Sequence, residues 1–327
     1  MGKIVGFTTT IPVEVLFAAG FVPLDLNNLF ITDPDPMHFI EIAERDGFPR
    51  SMCNWIKGIY GVVKERKIDT IISVMVGDCS NTHALSEILE HQGVRVIPFA
   101  YPFDRDRESL KREIEKLMNR FSVDYDDIRR VEREIEKVRK LLKRIDDLTY
   151  RECTVSGYEN HIWLVRSSDM LGDYRSYGKM ARSFLSERKM GKKESAIRLA
   201  LIGVPPIITD IYQFIEEKGG HVVFNETQRQ FSLPFFECDI VDRYLKYTYP
   251  YGIFARIKDI KKEVKRRKVK GIIHYVQAFC FRVMEDVILK DYFDIPILTI
   301  EGELPKPLDA RTKLRIEAFL EMLKEGD

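Results

Sequence analysis

A strand-forming run that ends on a cysteine at the start of a helix occurs twice in this chain, and no other feature constrains the fold as much. Ile71-Ile72-Ser73-Val74-Met75-Val76 places five apolar residues in six, the pattern of a parallel strand covered on both faces. Gly77-Asp78 stops the run, Cys79 follows, and Ser80, Asn81 or Thr82 can cap a helix that begins near His83. Far downstream, residues 271–277 form a second such run closed by Ala278-Phe279-Cys280. Residues 281–290 then read as a helix with Val283, Val287 and Leu289 as its apolar face. Each unit leads into another short strand, at 94–99 and at 295–300. Two copies of strand, cysteine, helix, strand amount to an internal duplication of pattern, not of sequence.

Such units belong to α/β architecture, and 327 residues are enough for two domains of about 100–150 residues each. The expected fold is α/β, with two Rossmann-like or flavodoxin-like parallel-sheet domains facing each other and joined by a helical segment. The expected boundaries are 1–103, 104–196 and 197–327. In the first domain, strands at 3–7 and 21–26 flank a helix from Pro12 to Ala19. Residues 27–50 read as a break-rich connection, since Asp33-Pro34-Asp35-Pro36 interrupts them. A helix over 51–67 carries Cys53 in its first turn.

From 104 to 147 the composition turns to charged helix. Leu110, Ile114, Leu117 and Phe121 form one apolar seam, and Ile128, Val131, Ile135, Val138, Leu142 and Ile145 form another. Seams of this kind make two helices that pack on a neighbour or on each other. Residues 148–195 read as further helix, loosened at Gly157, Gly172 and Gly178. The last domain opens with a strand at 198–204 and a helix capped by Thr209. A strand at 221–224, a loop-rich aromatic insert over 225–256 and a basic surface helix over 257–268 follow, and a helix at 310–323 ends the chain.

Lys and Arg total 52 against 51 Asp and Glu, a net charge of +1. No basic field calls for nucleic acid as a partner. The apolar stretch 11–24 is interrupted by Pro12, Glu14, Gly20 and Pro23, so neither a signal peptide nor a membrane span fits. A cytoplasmic location with reduced thiols, unless they hold metal, is the expectation.

The five cysteines carry the chemistry question. Cys79 and Cys280 occupy equivalent places at the carboxyl ends of strands, where open α/β sheets bind ligands. A helix N-terminus also favours the thiolate that ligates metals. If the two domains face each other across a cleft, Cys53 can join them. Three thiolates from separate elements suit an iron–sulfur cube with one free iron. Without a CxxC pair, a zinc ribbon or ferredoxin cluster is excluded on spacing. Ordinary buried cysteines remain the plainer account, because free Cys is among the most buried residue types. A zinc pair of Cys79 and His83 is a further alternative. Cys153 and Cys238 read as structural.

Several short motifs, taken in order, carry a resemblance. Ile11-Pro12-Val13-Glu14 with Ala18-Ala19-Gly20-Phe21-Val22-Pro23, then Met52-Cys53-Asn54-Trp55-Ile56-Lys57-Gly58, then Gly77-Asp78-Cys79-Ser80-Asn81, are followed by Phe279-Cys280 before a helix. Gly203-Val204-Pro205, Tyr249-Pro250 and Ile300-Glu301-Gly302-Glu303 also fit. Together they resemble the 2-hydroxyacyl-CoA dehydratase family, D-component, which includes 2-hydroxyglutaryl-CoA dehydratase and benzoyl-CoA reductase subunits.

The resemblance implies one 4Fe-4S cluster per chain, held by Cys53, Cys79 and Cys280 and leaving one iron open. It implies a lyase that removes water from a 2-hydroxyacyl-CoA through a ketyl radical, or a related low-potential reductase. Its partners would be an ATP-dependent iron–sulfur activator, an acyl-CoA substrate, and a second homologous subunit or another copy in a dimer. Glu14, Asp78, Glu301 and Glu303 are candidates by position for taking a proton, with no base assigned. The alternatives are a non-catalytic iron–sulfur electron carrier or scaffold, and a metal-free two-domain binder of small molecules. The basic run 261–268 reads as a solvated helix face.

Overall fold

Strands in this chain are short and apolar, and each is followed by a helix that can cover it, so every sheet is parallel. The computed structural model describes residues 2–188 and 196–326. The first sheet uses β1 (Ile4–Phe7), β2 (Val22–Asp25), β3 (Thr70–Val76) and β4 (Arg95–Ala100) in the order β2-β1-β3-β4. The second uses β5 (Ile197–Gly203), β6 (Gly220–Asn225), β7 (Gly271–Gln277) and β8 (Ile297–Gly302) in the order β6-β5-β7-β8. All six strand pairings are parallel. The duplication of pattern is thus a duplication of topology, and the two-sheet α/β reading holds.

Around the first sheet lie α1 (Val13–Ala18), α2 (Leu26–Ile31), α3 (Met37–Arg45), α4 (Asn54–Glu65) and α5 (Ser80–His91). The break-rich reading of 27–50 needs correction, because α2 and α3 occupy much of it. Asp25 caps α2 by accepting from the Asn27 amide at 2.9 Å. Pro36 stands immediately before α3, where a missing amide proton costs nothing. Proline and aspartate here begin helices rather than prevent them.

Then come α6 (Arg107–Phe121) and α7 (Tyr125–Asp147). Their seams are buried: Leu110, Ile114 and Leu117 in one, Ile128, Ile135, Val138, Leu142 and Ile145 in the other. Glu14 of α1, fully buried, pairs with Arg139 of α7 at 2.6 Å, so these helices are latched to the first sheet. A π-helical turn over Leu148–Glu152 precedes α8 (Gly157–Val165) and α9 (Tyr174–Ser186). Of the helical reading of 148–195, residues 189–195 lie outside the described residues.

The second sheet is covered by α10 (Ile211–Glu217), α11 (Glu226–Phe231), α13 (Ile253–Arg267), α14 (Asp286–Tyr292) and α15 (Ala310–Glu325), while α12 (Ile240–Lys246) packs into the core of the first sheet through Ile240, Val241 and Tyr244. The aromatic stretch 225–256 is therefore partly helical, since Tyr244 and Tyr247 are buried core residues. In α13, Arg267 is fully buried and binds Asp146 at 2.5 Å, so this end of the basic run is not a solvated face. Residues 281–285 form a 3-10 turn ahead of α14, and Val287 is 74% exposed while Leu289 is buried. Among the described residues no helix is long and apolar enough to cross a membrane.

Candidate functional site

With strand order 2-1-3-4, the chain leaves β1 and β3 towards opposite faces, which opens a crevice between their carboxyl ends. Thr8 and Thr9 follow β1, and Asp78 and Cys79 follow β3. The second sheet repeats this, with Val204 and Pro205 after β5 and Cys280 after β7. All of these residues line one cavity between the two sheets, of about 80 Å³. Cys53 lines it as well. The three cysteines singled out from sequence are therefore brought together, whereas Cys153 and Cys238 are not among its lining.

Each of the three occupies the capping position of a helical element. Cys53 precedes α4, Cys79 precedes α5, and Cys280 precedes the 3-10 turn. A serine or aspartate there would turn its oxygen onto the free amides; these caps present sulfur. Reading Ser80, Asn81 or Thr82 as the cap of α5 is corrected accordingly. Both turns into the paired cysteines use left-handed backbone, at Gly77 (φ 100°) and Phe279 (φ 64°). Gly77 is also hemmed in, since a Cβ there would lie 2.7 Å from Pro250.

Burial opposes charge on all three thiols. The Cys53 thiol is pushed up to about 11 by burial, opposed by the Ile56 and Trp55 amides, with Cys79 and Cys280 adding to the rise. Cys79 is raised by burial and by Asp78, and Cys280 by burial against the pull of the Arg282 amide and guanidinium. Three thiols that feel one another in a buried space stay neutral unless a cation shares that space. Among the described residues, no three His, Cys, Asp or Glu side chains stand close enough to hold a single metal ion. His83 is exposed while Cys79 lines the cavity, and His83 is not among the residues that line it.

Sequence reasoning missed Arg282, two residues beyond Cys280. It is buried, lines the cavity, donates to the Tyr249 carbonyl at 3.0 Å and lies 4.5 Å from the centre of the Tyr249 ring. Asn28 and Gln277 also line the cavity, each with a buried side-chain oxygen that lacks a partner. Their positions just after β2 and at the end of β7 are the signal that could have marked them. Of the four carboxylates considered as bases, only Asp78 lines the cavity. Burial pushes its carboxyl up to about 6, opposed by the Cys79 amide. Glu14 is tied up by Arg139 and by the Tyr244 hydroxyl at 2.8 Å, and Glu301 and Glu303 are exposed.

Compared with known proteins, the chain has no match among curated sequences. Residues 8–323 match the family described as 2-hydroxyglutaryl-CoA dehydratase, D-component. That span includes every strand but β1 and every residue that lines the cavity, and the chain belongs to the 2-hydroxyglutaryl-CoA dehydratase D-component family.

Proposed function

We propose that this chain is the cluster-bearing subunit of a 2-hydroxyacyl-CoA dehydratase, with Cys53, Cys79 and Cys280 holding one 4Fe-4S cluster. The observation that carries this is the convergence of three helix-capping thiols on one cavity that has no fourth cysteine in its lining. The donor set fits such a group. Thiols that burial keeps neutral when alone become good ligands once a positive core compensates them. When bound, the group supplies low-potential electron transfer and a Lewis-acidic iron free of protein ligands.

The electron source is an ATP-dependent iron–sulfur activator, and the reaction is loss of water from a 2-hydroxyacyl-CoA through a ketyl radical of the thioester. In this reading the amides at the three helix starts stabilise the bound thiolates, and Arg282 fixes one wall. Asp78, which alone of the four carboxylates lines the cavity, takes the substrate's 3-proton in this reading. The partner is a second subunit of this type or another copy of the chain. The protein is assigned to the cytoplasm.

A second reading rests on the size of the cavity. About 80 Å³ is well below the ~300–1,000 Å³ of pockets that enclose drug-sized ligands. An electron carrier with this cluster needs no thioester site.

Anaerobic purification with iron and sulfide analysis tests the proposal. One cluster per chain is expected in wild type and in Cys238→Ala, and loss of it in each of Cys53→Ala, Cys79→Ala and Cys280→Ala. An iron-free wild type that resists reconstitution overturns it. Adding activator, ATP, reductant and a panel of 2-hydroxyacyl-CoAs separates the two readings: the dehydratase releases an enoyl-CoA, and the carrier is reduced without product.

A further inference from the structure

At the amino ends of the second sheet, on the edge opposite the cavity, a second cysteine environment is built from three elements. Cys153 follows the π-helical turn in the left-handed conformation (φ 51°, ψ 31°) and is partly exposed. Arg198, in β5, is fixed by two carbonyls. Its Nη2 donates to Tyr150 at 2.6 Å and its Nε donates to Arg267 at 2.7 Å. That leaves Nη1 3.7 Å from the Cys153 sulfur. His221, in β6 and 3% exposed, lies close enough to the same thiol to act on its charge.

The protonation state of His221 follows from its neighbours. Nε2 lies 3.0 Å from the Thr149 carbonyl oxygen, and Nδ1 lies 3.4 Å from a Glu216 carboxylate oxygen. A carbonyl only accepts, so Nε2 carries a proton, and the carboxylate beside Nδ1 favours a second proton there and with it the imidazolium form. The Cys153 sulfur thus sits between an imidazolium and a guanidinium. The nearby acid in its own chain segment, Glu152, is engaged by Arg144 at 3.1 Å, and Asp147 lies 3.9 Å from Arg151. Consistent with this geometry, His221 hydrogen bonding and charge lower the Cys153 thiol. Despite burial, the bonds to Cys153, Glu216 and the Thr149 carbonyl push His221 up to about 9. Two cations beside a solvent-accessible sulfur are what distinguishes reactive cysteines from inert ones.

We propose that Cys153, held between His221 and Arg198, is a nucleophilic thiolate and a site of covalent modification by soft electrophiles, hydroperoxides being the oxidising members of that class. With a hydroperoxide the thiolate attacks the terminal oxygen, an S–O bond forms and the O–O bond breaks. Sulfur is oxidised to the sulfenic acid, the peroxide is reduced to an alkoxide, and the alkoxide takes a proton from water. The site shares no residue with the cysteine-lined cavity, so it stands or falls apart from the dehydratase reading.

Anaerobic alkylation of the intact protein with iodoacetamide, read by mass spectrometry of the Cys153 peptide, tests the proposal; here an S–C bond forms and iodide leaves. The reference is the same residue in the urea-unfolded chain. An ordinary thiol gains about 50–100-fold in thiolate between pH 6 and pH 8. Folded Cys153 is expected to rise clearly less steeply than this over that interval. Its absolute rate is no guide, because a less basic thiolate is also a weaker nucleophile. His221→Gln is expected to restore the steep profile. Should that variant fold poorly, Arg198→Gln and Glu216→Gln are expected to steepen it partially. Treatment with tert-butyl hydroperoxide should give a dimedone-trapped sulfenic acid at Cys153. A folded-state profile as steep as that of the unfolded chain, or no trapped adduct at Cys153, overturns the proposal.

Discussion

The side-chain amide of Asn54 donates to the backbone carbonyl of Glu303 at 2.9 Å, joining the residue after Cys53 to the end of β8. Gln277, three residues before Cys280, donates to the same carbonyl at 2.8 Å. One carbonyl therefore sets the approach of two of the three cysteines from different sheets. Asn54→Ala is expected to cost about 1 kcal/mol in urea unfolding and to lower the iron retained after reconstitution. Unchanged iron retention would show that Cys53 is positioned by α4 alone.

Arg256 is the next structural anchor. Its Nε and Nη2 each reach Glu226 at 2.8 Å, and Nη1 pairs with Glu285. Glu226 in turn accepts from the Gly203 amide at 3.0 Å, and Glu285 from Arg282 at 3.1 Å. Removing the guanidinium leaves buried carboxylates uncompensated, so Arg256→Met is expected to lose about 3–5 kcal/mol. Arg256→Lys should recover only part of this, because one ammonium cannot serve two carboxylates in a fixed fork. Guanidinium-induced unfolding followed by circular dichroism measures both.

Glycine substitutions should divide sharply by position. A Cβ at Gly203 would stand 2.1 Å from the Tyr275 carbonyl oxygen, and the residue has φ 104°. Gly203→Ala therefore has neither space nor an allowed conformation and should prevent stable folding. Gly252, where an added Cβ meets nothing within 4 Å, should tolerate Ala within about 0.5 kcal/mol. Expression and thermal melts of the two variants give the comparison.

A buried acid pair fixes the pH dependence of one region. Asp169 accepts from the Asp25 amide at 2.8 Å and from Asn28 at 3.2 Å, and Ser168 donates to Asp25 at 2.6 Å. Burial, with Asp25 adding, pushes Asp169 up to about 7, and burial raises Asp25 too. A carboxyl raised on folding binds its proton more tightly in the native state. Its stabilisation is full below the unfolded value near 4 and is lost as pH rises through 7. This pair should make the protein more stable at pH 5 than at pH 8, and Asp169→Asn should flatten that slope. Melting midpoints of both proteins across this range decide it.

Much of the architecture was legible because parallel strands buried on both faces are nearly continuous apolar runs, as in residues 71–76 and 271–277. The seams of α6 and α7 were legible because each extends over several turns. Short helices were legible where flanking residues mark their ends, as Pro12 and Gly20 do for α1, but α2 with six residues and α12 with seven are too short for a period to emerge. Val283 and Val287 follow helical spacing yet lie exposed, since burial there depends on what the rest of the chain places opposite. The equivalence of Cys79 and Cys280 could be read locally. Their meeting with Cys53 depended on how two sheets face each other, which no local pattern encodes. His221 beside Cys153 was invisible for the same reason, the pair being brought together only where a helical turn meets the start of β6.

The three cavity cysteines come from opposite ends of the chain, two before α6 and one after β7. During synthesis the first sheet is complete while Cys280 has yet to be made, so the emerging chain offers only two of its thiols. On the proposed cluster reading, a nascent chain therefore has no finished pocket in which to trap iron prematurely. Loading would then wait until the last sheet has docked, and that reading makes cofactor insertion the closing event of biosynthesis rather than a nucleus for it.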